Sequence, residues 1–179
     1  MPSPKSDAEQ LAFIRRHVEN EVPEAITYLG NAYRDGDLGL KSEKKAVKLY
    51  KRAVELGDVD ATLNLGCAYR KGEGVKMNEK KGVQLYRMAA DRGHARAQCN
   101  LGKILLDEGS DESQREAFEY FKLIAAQGLT DAIYMVGYCY VHGAGTETDL
   151  AEARRWFERA AAKGHKGAIR GLEILASST

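Results

Sequence analysis

Apolar residues along this chain fall in short stretches of helical period, each closed by glycine. Between Asp58 and Gly72, Ala61, Leu65, Ala68 and Tyr69 share one helical face, which predicts a helix over Val59 to Lys71 capped by Asp58 and stopped by Gly72. Gly72-Glu73-Gly74-Val75 then reads as a tight loop. Asn78 caps a second predicted helix, Glu79 to Arg92, with Val83, Tyr86, Ala89 and Ala90 as its stripe and Gly93 at its end. The unit is a helical hairpin.

That unit repeats. Leu29-Gly30 recurs as Leu65-Gly66, Leu101-Gly102 and Val136-Gly137, with glycine spacings of 36, 36 and 35 residues. Gly57, Gly93, Gly128 and Gly164 form a second series, and Ala25, Ala61, Ala97, Ala132 and Ala168 a third, on the same beat. A fixed period of this length marks stacked supersecondary units. The predicted fold class is therefore all-α, a right-handed α-α superhelix: a solenoid of helix-turn-helix repeats with about ten helices. Residues 1–179 read as one solenoid, with a capping helix at 6–22, repeats at 24–59, 60–95, 96–130 and 131–166, and a partial repeat at 167–179. Ser6-Asp7-Ala8-Glu9 is a capping box for the opening helix, and Pro23 suits the first turn of the next. Lys166 to Ala176 is the first helix of a fifth unit.

A glycine inside each first helix costs about 1 kcal/mol relative to alanine, so its recurrence implies compensation. Close approach by Tyr50, Tyr86, Phe121 or Phe157 of the following helix supplies it. Two irregularities stand out. Asp107-Glu108-Gly109-Ser110 replaces the glycine loop in the third unit, and Gly82 replaces the alanine of Ala46, Ala117 and Ala153, which should soften that helix.

The pattern A-x-x-x-L-G-x-x-Y, G-x-G-V, K-A-x-x-x-Y-x-x-A-A-x-x-G is carried by Ala61, Leu65, Gly66, Tyr69, Gly72, Gly74, Val75, Tyr86, Ala89, Ala90 and Gly93. It resembles the Sel-one-like repeat family of the tetratricopeptide superfamily, over about Glu24 to Leu175. The resemblance implies an adaptor that holds proteins in complexes. A secreted bacterial branch, linked to β-lactam binding, needs cysteines at places that here hold Val54 and Thr62, Ala90 and Gln98, Ala126 and Ile133, Ala161 and Ile169. An enzyme of that branch is the remote alternative.

Laying the superfamily register on the chain predicts that the first helices line a concave groove through Thr27, Asn31, Arg34, Leu63, Cys67, Arg70, Cys99, Lys103, Leu106, Tyr134, Tyr138, His142 and Arg170. The column Asn31, Cys67, Lys103, Tyr138 changes residue class at every step while the core positions repeat. The expected ligand is a peptide or protein segment bearing acidic and aromatic groups. The competing reading is a solvated surface with no ligand. Leu172, Ile174 and Leu175 on the last helix could serve a weak homodimer, or simply pack backward.

Composition narrows the field. Net charge is +1, with 44% apolar and 30% charged residues, so nothing draws the whole chain toward nucleic acid or anionic membrane. Lys41, Lys44, Lys45, Lys48 and Lys76, Lys80, Lys81 read as a solvated convex face; a helical-repeat RNA- or anion-binding protein is the main rival. No apolar run approaches the ~18 residues of a membrane span, and Met1 to Gln10 lacks the apolar core of a secretory signal. The expected location is the cytoplasm. Three cysteines, Cys67, Cys99 and Cys139, with no CxxC, argue against a disulfide framework or zinc site. His94 and His165 follow unit-ending glycines and read as helix-opening residues. His17 has no metal-site pattern around it. No catalytic residues, metal or cofactor are expected.

Overall fold

A computed structural model describes residues 6–177; the first five residues and the last two of the predicted solenoid span lie outside them. The fold is all-α, with ten α-helices and no strand among the described residues. The helices are α1 (Asp7–Glu19), α2 (Pro23–Asp35), α3 (Glu43–Glu55), α4 (Val59–Lys71), α5 (Glu79–Asp91), α6 (Ala95–Glu108), α7 (Asp111–Ala126), α8 (Thr130–His142), α9 (Leu150–Ala161) and α10 (Lys166–Ser177). They form two compact units, one ending at His94 and the other beginning at Ala95.

In the first unit α1 leads into the hairpins α2–α3 and α4–α5. Side-chain caps start the helices as the sequence requires: Ser6 accepts from the Glu9 amide at 3.3 Å, Asp58 from Ala61, and Asn78 from Lys81 at 3.0 Å. Pro23 occupies the first turn of α2. Ile26, Tyr50, Ala53 and Ala61 form the centre of a core that Val47, Leu65, Ala68 and Leu85 complete. A short 3-10 turn, Asp37–Gly39, links α2 to α3.

The second unit carries α6–α7, α8–α9 and the unpaired α10. Its core is Leu101, Phe121, Ile124, Ile133, Val136 and Cys139. The irregular third-unit loop resolves simply. Ser110 caps α7 by accepting from the Ser113 amide at 3.1 Å, so only Gly109 and Ser110 separate the helices, and α7 gains an extra turn at 16 residues.

The glycine beat has a steric cause. A Cβ on Gly30 would lie 2.6 Å from the Tyr50 ring, on Gly66 2.8 Å from Tyr86, on Gly102 2.8 Å from Phe121, and on Gly137 2.6 Å from Phe157. All four pairings are those the sequence predicts. Gly82 also has a steric role: the Arg70 stem and the Gly66 carbonyl occupy the space its Cβ would need. Gly74 serves a contact between hairpins. It has φ +69°, and a Cβ there would overlap the Glu43 backbone in the first turn of α3; Gly145 meets Gln114 of α7 in the same way.

Ties between consecutive repeats were not legible in the sequence. Arg52 donates to the Val18 carbonyl (3.2 Å), Arg92 to Gly57 (2.7 Å) and Lys163 to Gly128 (3.3 Å), each placing a cation at the carboxyl end of the preceding repeat's second helix, or of α1. His94 Nε2 lies 2.7 Å from Asp60 Oδ1, and His165 Nε2 3.7 Å from Asp131 Oδ1. His165 also accepts from the Ala168 amide at 3.1 Å and stacks on Tyr134, with ring centroids 4.4 Å apart. Each histidine ends a repeat by reaching back to that repeat's own first helix, His94 to α4 and His165 to α8.

Candidate surface on the first helices

In the first unit the predicted positions are largely engaged within the chain. Thr27 and Leu63 are buried, which corrects their assignment as ligand-facing. Asn31 Oδ1 accepts from Tyr50 Oη at 2.8 Å and from Asn64 Nδ2 at 3.1 Å. Arg34 binds both carboxylate oxygens of Asp35, at 2.7 and 2.8 Å. That fork raises the Arg34 pKa further and holds the Asp35 carboxyl below the usual carboxylate range. Cys67 Sγ lies 3.1 Å from Tyr86 Oη. Arg70 lies over the Tyr86 ring, 5.8 Å from its centroid, and reaches Glu79 at 3.8 Å. Arg34 is thus already paired with a carboxylate, while Arg70 Nε has no hydrogen-bond partner among the described residues.

Burial pushes the Tyr50 hydroxyl up to about 12 and raises that of Tyr86 as well. Desolvation disfavours the phenolate, so both act as neutral donors or acceptors.

The second unit differs. Cys99 is buried, a further correction, and its thiol is raised by desolvation. The remaining positions converge. Lys103, Leu106, Tyr138 and His142 line a pocket of 270 Å³. Tyr138 and His142 lie with ring centroids 4.2 Å apart and also border a second pocket of 360 Å³, lined by Tyr134, Arg170, Gly171 and Ile174. On its other side Lys103 borders a third, of 310 Å³, with Arg96, Asn100 and Asp131. Lys103 and Tyr138 are exposed. Lys103 reaches Asp131 only at 4.0 Å.

The contrast coincides with one chemical difference. At the aromatic position facing each close-approach glycine, α3 and α5 carry Tyr50 and Tyr86, whose hydroxyls bond the column residues Asn31 and Cys67. At that position α7 and α9 carry Phe121 and Phe157, which have no hydroxyl. Their column residues, Lys103 and Tyr138, extend outward instead.

The lysine clusters are partly spent on structure. Lys45 lies over the Tyr33 ring (5.2 Å from its centroid), Lys81 over Tyr69 (4.7 Å), and Lys41 donates to the Arg34 carbonyl at 2.7 Å. Among the described residues no group of three or more His, Cys, Asp or Glu could hold a metal ion, and no helix is long and apolar enough to cross a membrane. The three cysteines are free thiols.

The Sel1 repeat model matches four consecutive segments, residues 23–58, 59–94, 95–129 and 130–165. Each begins one residue before the boundary read from the glycine beat. Among solved structures the chain is similar to a protective antigen of uropathogenic Escherichia coli displaying an SLR fold, with TM-score 0.86 and 30% identity over 94% of this chain and 36% of that one. It is also similar to a Sel1 repeat protein from Oxalobacter formigenes, with TM-score 0.75 and 31% identity over 86% of this chain and 63% of that one. A chitin synthase regulator SKT5 of Malassezia restricta is 40% identical over 68 residues, which span 38% of this chain and 5% of that protein. The fold is that of the solenoids built from such repeats.

Proposed function

Given that the chain belongs to the Sel1 repeat family, whose members are generally protein-interaction modules, we propose that it is a non-catalytic adaptor. It takes a peptide or protein segment on the exposed first-helix face of its second unit. The observation that carries this reading is the pair Lys103 and Tyr138, exposed at positions whose counterparts Asn31 and Cys67 are bonded inward. A cation and an aromatic ring at the edges of adjoining pockets suit a segment that offers a carboxylate and an apolar side chain. Three free thiols suit a reducing compartment such as the cytoplasm.

The test is affinity capture from the native extract with the wild-type chain beside a Lys103→Glu/Tyr138→Ala double variant. A partner held by the wild type and lost by the variant, at equal melting temperature, supports the surface. Equal capture by both removes it. Titrating salt against a single-stranded RNA probe separates the rival class, because phosphate-driven binding weakens steeply with salt.

A further inference from the structure

The outer face of α10 is exposed in a way that no first helix before it is. Ile169 is 43% exposed where its counterpart Ile133 is 1% exposed. Glu173 stands at the position where Gly30, Gly66, Gly102 and Gly137 each receive an aromatic ring. A carboxylate side chain in that place blocks the close approach on which every hairpin of this chain is built. The face therefore lacks the glycine on which each preceding hairpin closes.

Its own chemistry identifies an occupant. Ile174 projects from α10 with 64% exposure. One to two turns toward the amino end, Gly167 and Gly171 border the 360 Å³ pocket walled by Tyr134 and Tyr138, and their lack of side chains lets the Tyr134 and Phe157 rings pack against α10. Knob and hole thus share one helix. Arg170 and Glu173 lie three residues apart on its exposed face, and neither makes an ion pair among the described residues.

Two antiparallel copies of α10, related by a two-fold axis between Gly171 and Leu172, bring residues whose numbers sum to 343 to the same level. Arg170 then meets Glu173 of the second copy, and Glu173 meets its Arg170. Ile174 of the second copy arrives at the level of Ile169, between Gly167 and Gly171, at the pocket mouth. An isologous contact requires this self-complementarity of charge and shape.

We propose that two copies of this chain associate through α10, each Ile174 entering the other's pocket and each Arg170 pairing with the other's Glu173. The proposal shares Tyr138 with the adaptor reading, and Lys103, which does not border this pocket, separates the two. A contact of one helix pair falls below the area of a standard interface, so association is weak.

Sedimentation velocity on the 179-residue chain, from about 10 μM to about 1 mM at low salt, tests it. The weight-average sedimentation coefficient should rise with concentration for the wild type and for Lys103→Glu. Arg170→Glu alone and Glu173→Arg alone should each hold it at the monomer value. The double variant Arg170→Glu/Glu173→Arg should restore the rise, with unchanged helical circular dichroism in all. A wild type that stays monomeric overturns the proposal and leaves the pocket to another protein. Single reversals without effect, or a double variant that stays monomeric, overturn it equally.

Discussion

The Tyr86 ring fills the space that a Cβ on Gly66 would occupy, with Cδ1 2.8 Å and Cε1 2.9 Å from it. The Gly82 carbonyl presses on the same spot from 3.2 Å. Neither ring nor backbone can withdraw without opening the α4–α5 contact. Gly66→Ala should therefore destabilise the protein by about 1–3 kcal/mol of overpacking, even though alanine gains about 1 kcal/mol in helix propensity. Gly93→Ala is the control. Its site has φ +80° and open space, so its cost is about 1–2 kcal/mol of backbone strain alone. Urea midpoints measure both, and Tyr86→Ala in the Gly66→Ala background should recover part of the clash term but not the first cost.

Tyr50 makes stability pH-dependent at the alkaline end. Its hydroxyl rises from the ordinary 10.0 to about 12 on folding, so the folded state keeps a proton that the unfolded chain releases first. That contribution is fully present below pH 10 and is lost as pH rises toward 12. Tyr50→Phe should cost about 1 kcal/mol at neutral pH, through the lost bond to Asn31. It should also flatten the fall in denaturant midpoint between pH 10 and 12. A slope equal to the wild type's would show that other groups govern that range.

Thiol labelling should separate the three cysteines. Cys99 and Cys139 are buried, and burial pushes the Cys139 thiol up to about 12. Only Cys67 is part-exposed. A disulfide exchange reagent at pH 8 should give one fast equivalent, lost in Cys67→Ser, and two slow ones that appear only with unfolding. Two fast equivalents in the native protein would contradict the burial of Cys99 or Cys139.

The candidate surface was only partly legible. The superfamily register picked out Lys103, Leu106, Tyr134, Tyr138, His142 and Arg170, and the structure gathers these around adjoining pockets. The same register also named Thr27, Leu63 and Cys99, which are buried. Register gives the direction of a side chain from its helix axis. It does not give how deeply packing buries that turn. The spacing likewise could not reveal that Arg34 would turn to Asp35 beside it, or Arg70 toward Glu79.

The sequence by itself determined the hairpins, their number and the close contact inside each. A fixed period forces the same small residue to meet the same ring in every unit, so Gly66 and Tyr86 could be paired from spacing alone. Helix limits followed from Asp58, Asn78 and Gly72, because caps act within one turn of chain. Only the tertiary structure decided which face stays available. At the column positions Tyr50 and Tyr86 bond Asn31 and Cys67, while Phe121 and Phe157 have no hydroxyl to offer Lys103 and Tyr138. That difference is a single oxygen atom per repeat, and its effect is felt only once the helices pack side by side.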